Sequence, residues 1–452
     1  MNKKIVITYG TFDLFHKGHE NLLQRAKALG NYLIVGVTSE NYDKNRGKLN
    51  VTQSLIQRIE SVKNSGFADE IVVEEYEGQK IDDIIRYKVD IFAIGSDWVG
   101  KFDYLKDHCE VIYLERTKGI SSTQLRNSKY PIIEVGIIGS GRIAHRFVPE
   151  SKFVSGINVK GVFNPDKLLA KQFSNHHELS FYSNNFSEFI EKIDAVYIAS
   201  PHLTHANYIR KCLEQGKHVL CEKPMTLSSL ESKELFAFAK KQQLILSEAI
   251  KTAFCPAFLQ LVSLIKSGAI GIVKDVEASF SKLIQGNTRE LDVNQAGGSM
   301  TEFASYVLLP IIKILGTDFS NLLFFSHETQ NIDYFTKGLL IYKNATASFK
   351  VGLGVKTEGN LIISGTKGYA YVPAPWWKTE YFELRFEDLN QTMKYFYKFD
   401  EDGLRYEIND FIHQINHPSE QNIKLLASES ITIAEIIERF RKGIGVQKFN
   451  SI

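Results

Sequence analysis

Ile132-Ile133-Glu134-Val135-Gly136-Ile137-Ile138-Gly139-Ser140-Gly141-Arg142-Ile143-Ala144 decides how this 452-residue chain is divided. An apolar, β-branched run ends at a glycine pair spaced by one residue and passes directly into an amphipathic stretch. That is the opening of a strand–turn–helix unit. It falls far inside the chain, so a separate unit precedes it. The residues just before it, Arg126-Asn127-Ser128-Lys129-Tyr130-Pro131, are polar, end in proline and read as a linker. The length also calls for two or three domains.

Working outward, the pattern before the linker alternates short strands with helices. Strands are predicted at Lys4–Thr8, Tyr32–Thr38, Glu70–Val73, Ile91–Gly95 and Val111–Leu114. Helices are predicted at His19–Leu29, Thr52–Asn64 and Ile81–Tyr87. This βαβα order implies a parallel sheet with helices on both faces. After Ala144 the alternation resumes through Val159–Phe163, Ala195–Ala199, Val219–Cys221 and Leu244–Ser247. Beyond residue 250 the pattern changes to Val273–Leu283, Leu339–Val351, Asn360–Ser364 and Tyr369–Val372, closed by helices Leu404–Ile415 and Ser428–Arg441. The expected fold class is α/β with an α+β end. A Rossmann-like domain over 1–129 precedes a second Rossmann domain over 130–250 and an α+β domain over 251–452.

Lys and Arg number 54 against 52 Asp and Glu, a formal net charge of +2. Such a balance argues against broad binding to nucleic acid or anionic membrane. No run reaches the roughly 20 apolar residues of a membrane span, and Met1–Tyr9 lacks the apolar length of a signal peptide. Cys109, Cys212, Cys221 and Cys255 show no CxxC spacing. Reduced thiols, a cytoplasmic location and no metal held by protein side chains are therefore expected.

The first chemistry lies in Tyr9-Gly10-Thr11-Phe12-Asp13-Leu14-Phe15-His16-Lys17-Gly18-His19. Two histidines flank Lys17-Gly18 where a helix should begin. Unpaired N–H groups and the positive dipole end suit a phosphate there, and imidazoles can donate to charge developing on a phosphoryl group. Downstream, Gly95-Ser96-Asp97-Trp98 ends a strand. The segment Arg116-Thr117-Lys118-Gly119-Ile120-Ser121-Ser122-Thr123 offers a guanidinium fork, hydroxyls and backbone donors. All three segments lie at C-terminal ends of strands, where open α/β sheets bind ligands.

These segments resemble the HxGH nucleotidyltransferases, and within them the glycerol-3-phosphate cytidylyltransferases, over nearly all of residues 3–127. The resemblance implies that His16 and His19 stabilise the transition state at the α-phosphate of CTP. It also implies that Arg116, Thr117, Gly119, Ile120, Ser121, Ser122 and Thr123 bind the triphosphate. Gly10, Thr11, Phe12, Asp13, Arg58, Gly95 and Asp97 fall at family binding positions, and Lys44 and Lys48 would receive the substrate phosphate. Mg²⁺ is expected with CTP. Two departures stand out: Ser122 replaces a Thr, and Gly66 falls where an Arg is often found.

The second chemistry begins at Gly139-Ser140-Gly141-Arg142-Ile143-Ala144. Gly139 makes the tight turn, Gly141 admits a pyrophosphate and Ala144 keeps helix and strand close. The next strand ends at Asn164, where an acidic residue would grip the ribose of NAD. With Asn164 neutral and Lys167 near, the cofactor is left as NAD or NADP. Ala199-Ser200-Pro201-His202-Leu203-Thr204-His205 and Val219-Leu220-Cys221-Glu222-Lys223-Pro224 end the following strands.

Together these resemble the Gfo/Idh/MocA oxidoreductases over about residues 133–442. The resemblance implies cofactor contacts from Gly139, Gly141, Arg142, Ile143, Asn164, Ser200, Pro201, His205, Glu222 and Lys223. It further implies a cis bond before Pro224, a large open and mainly antiparallel sheet, and a homo-oligomer. The family's Asp-x-Gly-x-His is here Glu302-Phe303-Ala304-Ser305-Tyr306. Tyr306 is then the expected acid/base, with Lys223 beside it lowering its pKa toward working pH.

The expected function is bifunctional. Cytidylyl transfer from CTP goes to a polyol phosphate, glycerol 3-phosphate first, and NAD(P)-dependent oxidoreduction acts on a related sugar or polyol. Both would serve a CDP-polyol precursor of a cell-surface polymer. The alternative is another polyol or sugar phosphate as acceptor, with a dinucleotide-binding C-terminal module that does not turn over.

Overall fold

The computed structural model describes residues 3–45, 47–49, 51–115, 132–286, 288–397, 401–420 and 423–450. The expected triphosphate-binding segment Arg116–Thr123 and the expected linker lie outside the described residues. The chain forms two compact units: Met1–Ile132, with which Lys152–Gly156 is grouped, and Ile133–Ser151 with Ile157–Ile452.

In the first unit, β1 (Ile5–Gly10), β2 (Tyr32–Thr38), β3 (Glu70–Glu74), β4 (Ile91–Gly95) and β5 (Glu110–Leu114) form one parallel sheet. Its order is β3-β2-β1-β4-β5. Side chains alternate across a strand, so neighbours in sequence serve opposite faces. Val6 joins the core with Leu23, Val35 and Val62, whereas Ile7 joins the one with Ile34, Ile84 and Leu105. Each such side chain, fully buried, contributes about 1.5–3 kcal/mol.

The helix predicted at His19–Leu29 runs over Lys17–Lys27, because His16 caps it and starts it earlier. The one predicted at Thr52–Asn64 starts at Leu55, where Ser54 and Gln57 form a reciprocal capping box.

The second unit carries two sheets. β6 (Ile133–Ile138), β7 (Ile157–Phe163), β8 (Phe181–Ser183), β9 (Ala195–Ile198), β10 (His218–Glu222) and β11 (Leu246–Ala249) are all parallel, in the order β11-β10-β9-β6-β7-β8. The strand order reverses between β6 and β9, and ligands of such sheets bind at that crevice.

The other sheet has nine strands: β12 (Val273–Ser281), β13 (Asn321–Thr329), β14 (Ile332–Ile341), β15 (Thr346–Gly352), β16 (Leu361–Gly365), β17 (Gly368–Val372), β18 (Tyr381–Phe386), β19 (Met393–Phe396) and β20 (Val446–Asn450). Their order is β19-β18-β17-β16-β12-β15-β14-β13-β20, antiparallel except at β12/β15 and β13/β20. The expected extended run Leu339–Val351 is thus two strands. The chain reverses at Lys343-Asn344, where the Tyr342 N–H donates to the Ala345 carbonyl at 2.9 Å. The long helix Ser299–Leu315 packs on β12, β14 and β15, and places Glu302 and Tyr306 beside the sheet. Among the described residues no helix is long and apolar enough to cross a membrane.

Candidate functional sites

The site of the first unit gathers at the C-terminal ends of β1 and β2. Gly10 ends β1, and the chain turns through Phe12 and Leu14, both at positive φ. His16 lies in extended geometry and its Nδ1 accepts the Gly18 N–H at 3.0 Å. The ring of His19 stacks on that of His16 at 4.0 Å and 17°, with Phe12 and Phe15 packed beside it. Two imidazoles are thus presented together at a helix N-terminus, the arrangement expected from their spacing.

Lys48 reaches the same loop: its Nζ donates to Thr11 Oγ1 at 2.7 Å, and Thr11 donates to Asp43 at 3.0 Å. Lys44 and Asp97 are exposed, in the helix Glu40–Asn45 and the turn Ser96–Trp98, and Gly95 ends β4.

Asp13 and Arg58 are turned to other work. The Asp13 carboxylate accepts from the Thr52 N–H and hydroxyl and from the Gln53 N–H, pinning the segment that enters the helix Leu55–Asn64. Arg58 is fully buried. Its Nη1 donates to the carbonyls of Thr11 at 2.8 Å and Thr38 at 2.7 Å, and its Nε to Gln53. It ties the loops after β1 and β2 together from beneath.

The second unit holds a cleft of about 780 Å³ between its two sheets. Its dinucleotide end is built around Gly139, whose φ is +98°. A Cβ there would sit 2.6 Å from the Ala199 carbonyl, so only glycine lets the β6 turn touch the end of β9. A Cβ at Gly141 would meet nothing within 4 Å, which leaves room over the helix start for a pyrophosphate. Arg142, Ile143, Ser200 and Pro201 line the same end. Asn164 donates to Ser140 Oγ at 2.8 Å while its Oδ1 accepts the Asp166 N–H. These residues fit a nicotinamide dinucleotide.

His205 lines the cleft, but both ring nitrogens face backbone carbonyls, of Pro224 at 2.9 Å and Ser200 at 2.8 Å. It fastens the turn at Pro224, and the Lys223–Pro224 bond is cis. Glu222 accepts from the Tyr197 hydroxyl at 2.6 Å, and burial pushes its carboxyl above the ordinary range.

Lys223 projects across the cleft. Its Nζ donates to the Glu302 carbonyl at 2.9 Å and lies 5.3 Å from the centre of the Tyr306 ring. The expected depression of the Tyr306 pKa does not occur. Burial, with Glu222 and Glu407 nearby, pushes the phenol well above its usual value, so the resting form is the protonated one.

Sequence reasoning missed several groups here. Arg289 pairs with Glu302, its Nη2 donating to Oε2 at 3.1 Å while its Nη1 lies 2.9 Å from Oε1, and it lies 3.3 Å from His202, which burial keeps neutral. Phe280 stacks on Tyr306 at 5.0 Å and meets Trp377 at 3.7 Å, making an aromatic wall; Lys282 lines the same cleft, and Lys378 pairs there with Asp402 at 3.0 Å. Asp333 of β14 accepts from Ser299 Oγ at 2.6 Å and the Met300 N–H at 2.8 Å, fixing the start of the helix that carries Tyr306. None follows a local spacing; each comes from an element remote in sequence.

Comparison with known proteins gives each unit its relatives. Residues 7–128 match the family described as cytidylyltransferase-like, and residues 133–250 match the oxidoreductase family with an NAD-binding Rossmann fold. Glycerol-3-phosphate cytidylyltransferase of Bacillus spizizenii is 50% identical over 123 residues, 27% of this chain and 95% of that protein. Trans-1,2-dihydrobenzene-1,2-diol dehydrogenase of Sus scrofa is 29% identical over 331 residues, 69% of this chain and 96% of that protein. A 3-ketoreductase from Actinomadura kijaniata, solved with NADP and TDP-benzene, superposes with a TM-score of 0.62 at 22% identity, covering 71% of this chain and 100% of that one. The chain therefore belongs over its first unit to the cytidylyltransferase-like family, carries over residues 133–250 the NAD-binding domain of the Gfo/Idh/MocA oxidoreductases, and is a cytidylyltransferase joined to an NAD(P)-dependent oxidoreductase.

Proposed function

We propose that the first unit transfers a cytidylyl group from CTP to glycerol 3-phosphate, and that the second interconverts carbonyl and alcohol on a related phosphorylated sugar or polyol. The observation that carries the first half is the stacked His16–His19 pair at a helix N-terminus, in a unit half identical to a glycerol-3-phosphate cytidylyltransferase. A phosphate oxygen of the acceptor attacks the α-phosphorus of CTP, the bond to the β-phosphate oxygen breaks, and pyrophosphate leaves in line. His16 and His19 donate to the charge that builds on the α-phosphoryl oxygens, and Lys44 and Lys48 hold the acceptor phosphate. Gly10, Thr11, Phe12, Gly95, Asp97 and the Arg116–Thr123 segment surround the nucleotide, Mg²⁺ accompanies the triphosphate, and Asp13 and Arg58 keep the loops in place.

In the second unit a bound NAD or NADP would supply or accept the hydride. Tyr306 gives its hydroxyl proton to the substrate oxygen during reduction and takes it back during oxidation. Lys223, held by the Glu302 carbonyl, stabilises the phenolate in between. Phe280 and Trp377 flank the substrate carbon skeleton, and Lys282, lining the same cleft, suits an anionic group on it. The ligands of the 3-ketoreductase structure, NADP and TDP-benzene, are in keeping with an anion-bearing substrate.

This reading divides the chain at 1–129, 130–250 and 251–452, and places a cytoplasmic homo-oligomer on the route to a CDP-polyol for a surface polymer. Incubating the chain with CTP, NADH or NADPH, and keto-phosphates, with products read by mass, tests both halves. No pyrophosphate from CTP and glycerol 3-phosphate would sink the first.

The motif Glu302-Phe303-Ala304-Ser305-Tyr306, with Glu302 locked to Arg289, favours a second reading. There the second unit binds dinucleotide without turnover. Tight binding with no hydride transfer across the substrate panel would select it.

A further inference from the structure

A cluster of three imidazoles in the second unit is used by neither chemistry. His145 lies on the helix Arg142–Ser151, one residue beyond the dinucleotide turn. His176 and His177 end the neighbouring helix Lys167–His177. One nitrogen from each of the three lies within 4.8 Å of the others, and His145 Nδ1 is 2.8 Å from His177 Nε2. The His145 ring stands 5.3 Å from that of His176 and 5.0 Å from that of His177. His176 and His177 meet edge to face at 4.6 Å.

We propose that His145, His176 and His177 form a binding site for one divalent transition-metal ion of the zinc, nickel or copper class, clamping two adjacent helices of the dinucleotide-binding fold.

Adjacent helical residues normally diverge. Here the helix stops at His177, with Glu178 turning at φ +55°, so the two rings can converge on His145. Phe173, buried, packs at 4.6 Å against both His145 and His177 and limits their rings on one side.

The cation would also sit at the negative, carbonyl end of the helix Lys167–His177, where positive charge is favoured. Three neutral imidazoles suit zinc, nickel and copper and leave a fourth position for water. Tetrahedral zinc with nitrogens at about 2.0–2.1 Å sets them about 3.3 Å apart, so the 2.8 Å pair must open and the wider separations, up to 4.8 Å, must close. His145 and His176 are exposed and can move that far. No sequence spacing marks the site, since His145 and His177 are 32 residues apart and meet only through packing of the two helices.

Co²⁺ titrated into the full chain provides the probe, with its visible d–d absorption and equilibrium dialysis read together. One equivalent should give a four-coordinate cobalt spectrum that His145→Gln and His177→Gln each abolish, with at least a tenfold loss of affinity. His413→Gln removes one ring of an exposed pair stacked at 4.4 Å on the last domain and should change nothing at this site. Zn²⁺ should raise the melting temperature of the wild type but not of His177→Gln. A cobalt spectrum that persists in both cluster variants, or no saturable cobalt binding by the wild type, overturns the proposal. Retained dinucleotide binding shows that the variants are folded.

Discussion

The two sites are built by opposite means. In the first unit, His16 and His19 lie three residues apart, and one helix start brings their rings into contact. In the second, Tyr306 depends on Lys223 from the Rossmann sheet, Asp333 from the nine-stranded sheet and Phe280 from another of its strands. A site carried by a turn survives as a local pattern, because helix geometry fixes it. A site assembled from remote strands is only as good as the packing that holds them.

The sharpest way to break this contrast is to loosen that packing. Glu150 and Arg405 form a buried pair at 2.8 and 3.1 Å, and Glu150 also accepts the backbone N–H groups of Asp402 and Arg405. Glu150→Ala strands a buried guanidinium, which costs about 3–5 kcal/mol. In calorimetry the second unit should melt earlier while the first keeps its transition. Equal losses in both would contradict the separation of the units.

His16→Ala should lower cytidylyl transfer by about 10²–10³-fold, the loss on removing one donor to a developing oxyanion. Oxidoreduction by the same preparation should be unchanged, read by dinucleotide absorbance. Tyr306→Phe should cost about 10²-fold in kcat of the second unit with dinucleotide affinity intact. Equal activity in Tyr306→Phe would remove the proton donor from the mechanism.

The smallest effect concerns pH. Burial pushes Asp333 up to about 6 despite its three donors, and Glu248 up to about 7. Folded values above the unfolded ones mean that the folded unit holds protons longer. Their contribution to stability is full below about pH 4 and is lost as pH rises through 6 and 7. Each group should contribute a slope of up to about 1.4 kcal/mol per pH unit in denaturant titrations, and Asp333→Asn should remove one share of it. A slope of the opposite sign would show that the donors outweigh burial.

Much of the first unit was legible because its elements follow local rules. Strand alternation, the capping box at Ser54 and the histidine spacing each act within a few residues. Arg58 was legible as a residue of consequence but not as a clamp; its direction toward the Thr11 and Thr38 carbonyls depends on where two loops end. In the second unit the glycine turn was legible and its neighbour Asn164 was placed correctly near it. The role of His205 was not, since it joins its own strand end at Ser200 to another at Pro224. The Tyr306 pKa was misjudged for the same reason. A lysine nearby lowers a phenol, but burial and two carboxylates from separate elements raise it further.

The sequence by itself determined that two α/β units are joined and which turns open helices at the ends of their strands, because hydrophobic period and turn chemistry are local. Only the tertiary structure decided what those turns are aimed at. It brought Arg289 to Glu302, Asp333 to the helix of Tyr306, and His145 to His176 and His177. Contacts between residues distant in the chain are fixed by packing, and no periodicity in the chain records them.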